Sequence, residues 1–402
     1  MTQYKLLVKS ARQLVQVTDS GDRVLYGKHM QNVAVIDGRN GQGLSLVVNS
    51  DGLIADFGED DVIKAKYADA TFDRTIDATD KCVIPGFVDA HTHPVWAGDR
   101  VHEFAMKLAG ASYMDVHKAG GGIHFTVEHT RAANEEALYD LFKHRLEAMI
   151  RCGTTLVECK SGYGLDVDTE VKMLTVIERG KQEVNIDISS TYCGAHAVPK
   201  NKSPDEAAKD VLEVQIPRIM ELMAAGTLHV DNIDVFCENG VFDVTQSRDI
   251  LMAGKRAGLA INFHGDELHP MHSAEMGAEI GALAISHLEE VSEEGIAAMS
   301  KARTVAVVLP TTAYILRLKP PPVRRMIEAG VPVALGSDFN PNAYCMSMPL
   351  VMHLACVTLR MSMPEVLVAA TLNAAAALGK ADTHGSIEKG KVANLLVLDA
   401  PR

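Results

Sequence analysis

Hydrophobic positions recur along this chain in two different rhythms. Residues 1 to about 80 carry short β-type runs at 4–8, 32–36, 44–48 and 52–58, punctuated by Asp37-Gly38 and Asn49-Ser50-Asp51-Gly52. Such runs suit strands, and the Gly, Asn and Asp clusters suit the turns between them. The pattern predicts a small β domain, and residues 392–399 near the other end have the same character. In between, apolar runs of strand length alternate with helical stretches, at 83–88, 155–158, 188–193, 233–237, 259–263, 284–286, 305–309 and 331–335. Near-continuous apolar strands separated by helices imply a parallel sheet buried on both faces. Ser203-Pro204-Asp205-Glu206 and Ser362-Met363-Pro364-Glu365 read as helix starts, each with a capping box and an early proline. Eight β/α units over roughly 290 residues predict an α/β fold of the (β/α)8 TIM-barrel type rather than an open sheet.

Composition narrows the class. The chain has 402 residues, 47% of them hydrophobic, which excludes a disordered chain and allows one large core with a smaller domain attached. The formal charge of -13 repels nucleic acid and anionic membrane, so neither is expected as a partner. An anionic substrate therefore needs a local cation. The seven cysteines form no CxxC pair and several lie in apolar runs, so reduced, buried thiols are expected. The first residues alternate like a strand and show no signal-peptide region. The longest apolar stretch, 366–378, falls short of the ~20 residues of a membrane span. A soluble, cytoplasmic protein is expected.

The sharpest chemical signal is Asp89-Ala90-His91-Thr92-His93, directly after an apolar strand and Pro85-Gly86. Residues two apart on a strand face the same side, so His91 and His93 can offer two imidazoles to one metal ion. Two ordinary histidines near a strand end are the competing reading. Three further strand ends bear on the choice: His264 closes the fifth candidate strand, His287 the sixth and Asp338 the eighth. In a barrel all C-terminal strand ends meet at one rim, where active sites lie. A core histidine could explain any one of these, but not ligand-type residues at four strand ends of one rim.

This set, HxH on the first strand, His on the fifth and sixth and Asp on the eighth, resembles the amidohydrolase superfamily. The lead-in Val83-Ile84-Pro85-Gly86-Phe87-Val88-Asp89 and the closing Gly385-Ser386-Ile387-Glu388-Lys389-Gly390-Lys391-Val392-Ala393-Asn394 are similar to its pattern, with Asn394 where an acid often stands. The resemblance implies that both terminal β segments pair into one small β-sandwich domain, 1–80 with 379–402, beside a barrel of 81–378. Related sequences continue for another strand or two, so the C-terminal part of the small domain is expected to be incomplete. Members with two metals use a bridging lysine on the fourth strand, and 232–238 contains none. One metal ion held by His91, His93, His264 and Asp338 is the expectation, zinc or iron by resemblance.

Further motifs resemble the imidazolonepropionase branch of that superfamily: Trp96-Ala97-Gly98-Asp99-Arg100, Gly120-Gly121-Gly122-Ile123, Lys160-Ser161-Gly162-Tyr163-Gly164, Gly194-Ala195-His196-Ala197-Val198-Pro199 and Ser337-Asp338-Phe339-Asn340-Pro341. They run in order across essentially the whole chain. The resemblance implies hydrolysis of 4-imidazolone-5-propanoate to N-formimino-L-glutamate in histidine degradation, and a homodimer.

That chemistry assigns roles. Asp338 accepts the proton of the attacking water, His287 hydrogen-bonds the water or the oxyanion, and Glu267, three residues after His264, contacts ring nitrogens. By resemblance, Arg100 and Tyr163 are expected to bind the propionate and His196 the imidazolone ring or its carbonyl, and Asn340 faces the same way as Asp338. Without the resemblance, Arg100 and Glu267 read as solvated surface residues, Tyr163 as a packed ring and His196 as a satisfied core histidine. Bacterial members often carry Gly-Thr where this chain has Asn342-Ala343, which bears on the contacts of that loop. His102, His117, His124, His129, His269 and His272 receive no role, and Cys159 and Cys193 are read as packing. Two rival functions remain: a one-metal nucleobase or nucleoside deaminase, which has no need of Arg100 and Tyr163, and a metal-free scaffold, which would have lost ligands.

Overall fold

The computed structural model describes residues 2–38, 42–110 and 121–401, so His117 and Gly120 lie outside the described residues. Eight strands stand side by side in chain order in one sheet, and every neighbouring pair is parallel. We number them first to eighth: Phe87–Asp89, Thr154–Lys160, Asp187–Ala195, Asn232–Cys237, Ala260–Gly265, Ala284–His287, Val305–Val308 and Val333–Leu335. Val305 to Val308 are all buried, as two covered faces require. The first and eighth strands meet beyond their C-terminal ends. There Asp338 N donates to His91 O at 2.9 Å and His93 N to Phe339 O at 2.8 Å. The sheet thus closes into the expected barrel, with the HxH and Ser337-Asp338 segments at the seam.

The two expected capping boxes are present, at Ser203 and Glu206 and at Ser362 and Glu365. The first barrel strand is shorter than the 83–88 run that predicts it. Cys82–Pro85 pairs instead with Gln13–Val17 and Leu395–Leu398, in a different sheet. One apolar run serves two sheets, and Gly86 marks the switch. A Cβ there would come within 2.3 Å of Thr155 side-chain atoms. Periodicity misses the change because both halves are fully buried.

The remaining strands form two four-stranded sheets. One runs Ile54–Glu59, Leu44–Val48, Gln3–Ala11, Thr71–Asp77, the other Leu395–Leu398, Cys82–Pro85, Gln13–Val17, Ala34–Asp37. Val8, Leu44 and Leu46 of the first share a core with Leu14 and Val83 of the second, which makes a sandwich of segments from both ends of the chain. The strand Thr71–Asp77 escapes sequence reading because it is an edge strand with only Phe72 and Ile76 half-buried. Buried Asn373 ties sandwich and barrel together. It accepts from Leu25 N and donates to Leu25 O and Val333 O, all within 2.9 Å.

Candidate metal and substrate site

Four side chains converge at the barrel rim. His91 and His93 leave the first strand, His264 ends the fifth, and Asp338 follows the eighth; all are buried. His93 Nε2 lies 3.2 Å from His264 Nε2, and Asp338 Oδ1 lies 3.5 Å from His91 Nε2 and 3.7 Å from His93 Nε2. Two of the three imidazoles are oriented from behind, while His93 Nδ1 is buried with no hydrogen-bond partner. His91 Nδ1 is 2.8 Å from Ser286 Oγ, and His264 Nδ1 is 2.8 Å from Asp234 Oδ1. Burial holds the His91 and His93 pKa values well below the ordinary histidine value, with neighbouring cationic groups adding to it. Neutral rings keep a lone pair on one nitrogen. His91 Nε2 is buried with no hydrogen-bond partner. Buried nitrogen lone pairs facing one another beside a carboxylate are costly unless a cation joins them. The donor set therefore fits a metal ion, and its imidazole and carboxylate chemistry suits a transition metal.

Three residues behind this cluster were not singled out from the sequence. Lys160, on the second strand, is fully buried between Glu158 Oε1 at 2.7 Å and Asp234 Oδ2 at 2.6 Å. Burial would raise the Asp234 carboxyl, but the charges of His264 and Lys160 outweigh it and hold its pKa below the usual range. Asp234 thus remains an anion that fixes the ring of His264. Lys160, engaged by two carboxylates, has no free pair with which to bridge metals. The signal was present as Glu158-x-Lys160, alternate residues on one strand face, and as an aspartate inside the apolar run Ile233-Asp234-Val235.

The residues expected to move protons surround the same point. His287 and Asp338 both adopt left-handed backbone, at φ 78° and 48°, which is uncommon for such side chains and concentrates at functional sites. Gly336 permits this close seam, since a Cβ there would meet His91 Cβ at 2.7 Å. Thr312 Oγ1 donates to Asp338 Oδ2, leaving Oδ1 toward the histidines. Glu267 is 8% exposed, so it is no surface carboxylate, and its Oε1 lies 3.6 Å from His287 Nδ1. Burial, reinforced by Glu289 and Asp338, pushes its pKa well above the usual carboxylate range. Burial likewise raises Glu289 to about 8. Asp266, also missed in the sequence, shapes the loop carrying Glu267 by accepting from Met271 N, Ser273 N and Ala274 N.

A cavity of about 150 Å³ joins these groups to the expected substrate contacts, and is lined by His93, His264, His287, Glu267, Asp338, Arg100, Tyr163, His196 and Asn340 among others. Arg100 is only 10% exposed in its side chain and forms a two-point pair with Glu103, which also accepts from Gly122 N. Glu103 therefore joins the Trp96–Arg100 motif to the glycine motif. Tyr163 sits in a loop held by buried Glu170, which accepts from Gly162 N, Gly164 N and Leu165 N. Gly162, at φ 110°, is 3.0 Å from His196 Nδ1 by its missing Cβ, so no other residue suits that turn. His196 Nδ1 donates to Gly162 O, and its ring stacks on His93 at 4.6 Å. Burial, with His264, lowers its pKa to about 3. Asn340 lines the cavity, but its amide also holds its own loop, accepting from Asn342 N and Ala343 N and donating to Asp338 O. A larger cavity of about 690 Å³ beside Phe104, Lys107, Tyr314 and Leu318 includes none of His91, His93, His264 and Asp338.

A sequence profile of the amidohydrolase family matches residues 82–401. A protein of Danio rerio named probable imidazolonepropionase is 63% identical over 399 residues, 99% of this chain and 91% of its own. Proteins of the same name from Nematostella vectensis and Homo sapiens are each 61% identical over 99% of this chain and 92% of their own. The chain belongs to the imidazolonepropionase branch of the amidohydrolase family. Solved structures of the wider family share its fold. The guanine deaminase of C. acetobutylicum superposes with a TM-score of 0.70 at 17% identity, covering 97% of this chain and 90% of that one. E. coli guanine deaminase gives 0.72 at 17% identity, over 98% and 89%. The motifs around Arg100, Tyr163 and His196 surround the cavity beside His93, His264 and Asp338. All seven cysteines are free. Among the described residues no helix is long and apolar enough to cross a membrane.

Proposed function

We propose that this chain hydrolyses 4-imidazolone-5-propanoate to N-formimino-L-glutamate with a single metal ion. The observation that carries this reading is one small cavity with a metal-ligand set at one end and Arg100 and Tyr163 at the other. Zinc or iron would be held by His91, His93, His264 and Asp338. Bound there, it supplies a water acidic near neutral pH and a Lewis acid for the ring carbonyl. Asp338 takes the proton of the attacking water, whose oxygen bonds to the carbonyl carbon. His287 hydrogen-bonds the water and the developing oxyanion. Glu267, with a pKa well above the usual carboxylate range, carries a proton to the ring nitrogen as the carbon–nitrogen bond breaks. His196 contacts the ring, Arg100 and Tyr163 bind the propionate, and Asn340 closes the cavity wall beside it.

The barrel of 81–378 carries this chemistry, and the small domain of 1–80 and 379–402 carries none of it. The protein works in the cytosol as a homodimer, on a small-molecule substrate. A deaminase acting on a ring amine would release ammonia and keep its ring closed. The test is NMR of the product formed from freshly generated imidazolone propionate. One formiminoglutamate per substrate with no free ammonia is expected. Ammonia with the ring intact would sink the reading.

A further inference from the structure

Arg100 is the one lysine or arginine among the described residues that lines the catalytic cavity. Its Nε and Nη2 already engage both oxygens of Glu103, at 2.8 and 2.7 Å, so that pair is close to neutral. Lys107, on the helix Val101–Leu108, lines the larger neighbouring cavity and meets the catalytic one through Asn342. Its ammonium donates to Asn342 Oδ1, and no carboxylate among the described residues lies within 4.0 Å of it. Asn342 itself lines the catalytic cavity, and its backbone N is fixed by Asn340 Oδ1. Lys107 is half-buried, and burial with the nearby charge of Arg100 lowers its pKa, partly offset by Glu103. Arg100, Lys107 and Glu103 together leave one net positive charge, in a chain whose overall charge is -13.

A half-buried ammonium whose partner is a neutral amide oxygen has more to gain from a carboxylate than a guanidinium already paired. We propose that Lys107, held at the cavity wall by Asn342, is the second cation of the carboxylate subsite and selects substrates with an acidic arm. This inference rests on the proposed function for the identity of the arm, but its test does not. The side chain is partly exposed and in no ion pair among the described residues, so Lys107→Met removes the charge without leaving a buried ionic partner there.

The experiment compares binding of imidazole-4-propanoate and its neutral propanamide to the metal-loaded protein by calorimetry. Lys107→Met should weaken the acid by about tenfold, the scale of one charge-assisted hydrogen bond, and leave the amide within about twofold. Asn342→Ala should weaken the acid by a smaller factor, since the ammonium stays but loses its hold. Equal affinity of wild type and Lys107→Met for the acid, or equal loss for both probes, would overturn the proposal. Absence of imidazolone turnover by wild type, with the acid still preferred over the amide and the preference lost in Lys107→Met, would reject the proposed reaction and leave the subsite standing.

Discussion

Asp338→Asn is expected to lower kcat by at least about a thousandfold, within the range of a lost general base. The two side chains are nearly isosteric, so the loop and the Thr312 hydrogen bond can persist. What disappears is a basic oxygen 3.5 and 3.7 Å from the His91 and His93 ring nitrogens. Burial already raises the Asp338 pKa against the hydrogen bond from Thr312, which makes the carboxylate a better proton acceptor than an exposed aspartate. Because the same oxygen belongs to the proposed ligand set, the assay is run with excess metal, and bound metal is measured alongside. Retention of more than a tenth of wild-type kcat with metal bound would remove Asp338 from the proton-transfer step.

Asp234→Asn acts one layer further back and should be the most destabilising single change at the site. It leaves Lys160 buried with Glu158 as its remaining anionic partner, a loss on the order of 3–5 kcal/mol in unfolding free energy. It also removes the anion that orients His264, and such partners typically govern about 10–100-fold in metal affinity. Urea unfolding of the metal-free protein reads the first effect, and competition with a chelator reads the second. Unchanged metal affinity would mean that His264 is fixed by packing rather than by Asp234.

The sequence was most informative where chemistry coincided with strand ends. His91, His93, His264, His287 and Asp338 each follow an apolar run, and barrel closure necessarily brings such positions to one rim. It was least informative about carboxylates that serve the backbone or a buried cation. Glu103, Glu170 and Asp266 fix the loops of Arg100, Tyr163 and Glu267, yet nothing in a chain with 52 acidic residues separates them from solvated ones. Their partners are mostly backbone N–H groups, which every residue but proline carries. Lys160 and Asp234 each stood out as a charge in an apolar strand, but their relation to each other did not. Their pairing spans two strands, and no spacing along the chain expresses it. Asn340 shows the converse. Its position beside Asp338 was readable, but its engagement with its own loop depends on a turn that only the folded backbone reveals.

The most direct test of single-metal hydrolysis is turnover of freshly generated imidazolone propionate, followed by absorbance, as metal-stripped protein is titrated with zinc or ferrous iron. The account predicts no turnover without metal, then a rise in proportion to bound metal that stops at one equivalent per chain, with formiminoglutamate as the product. Full activity in the stripped protein, or a rise that continues to two equivalents, would contradict it.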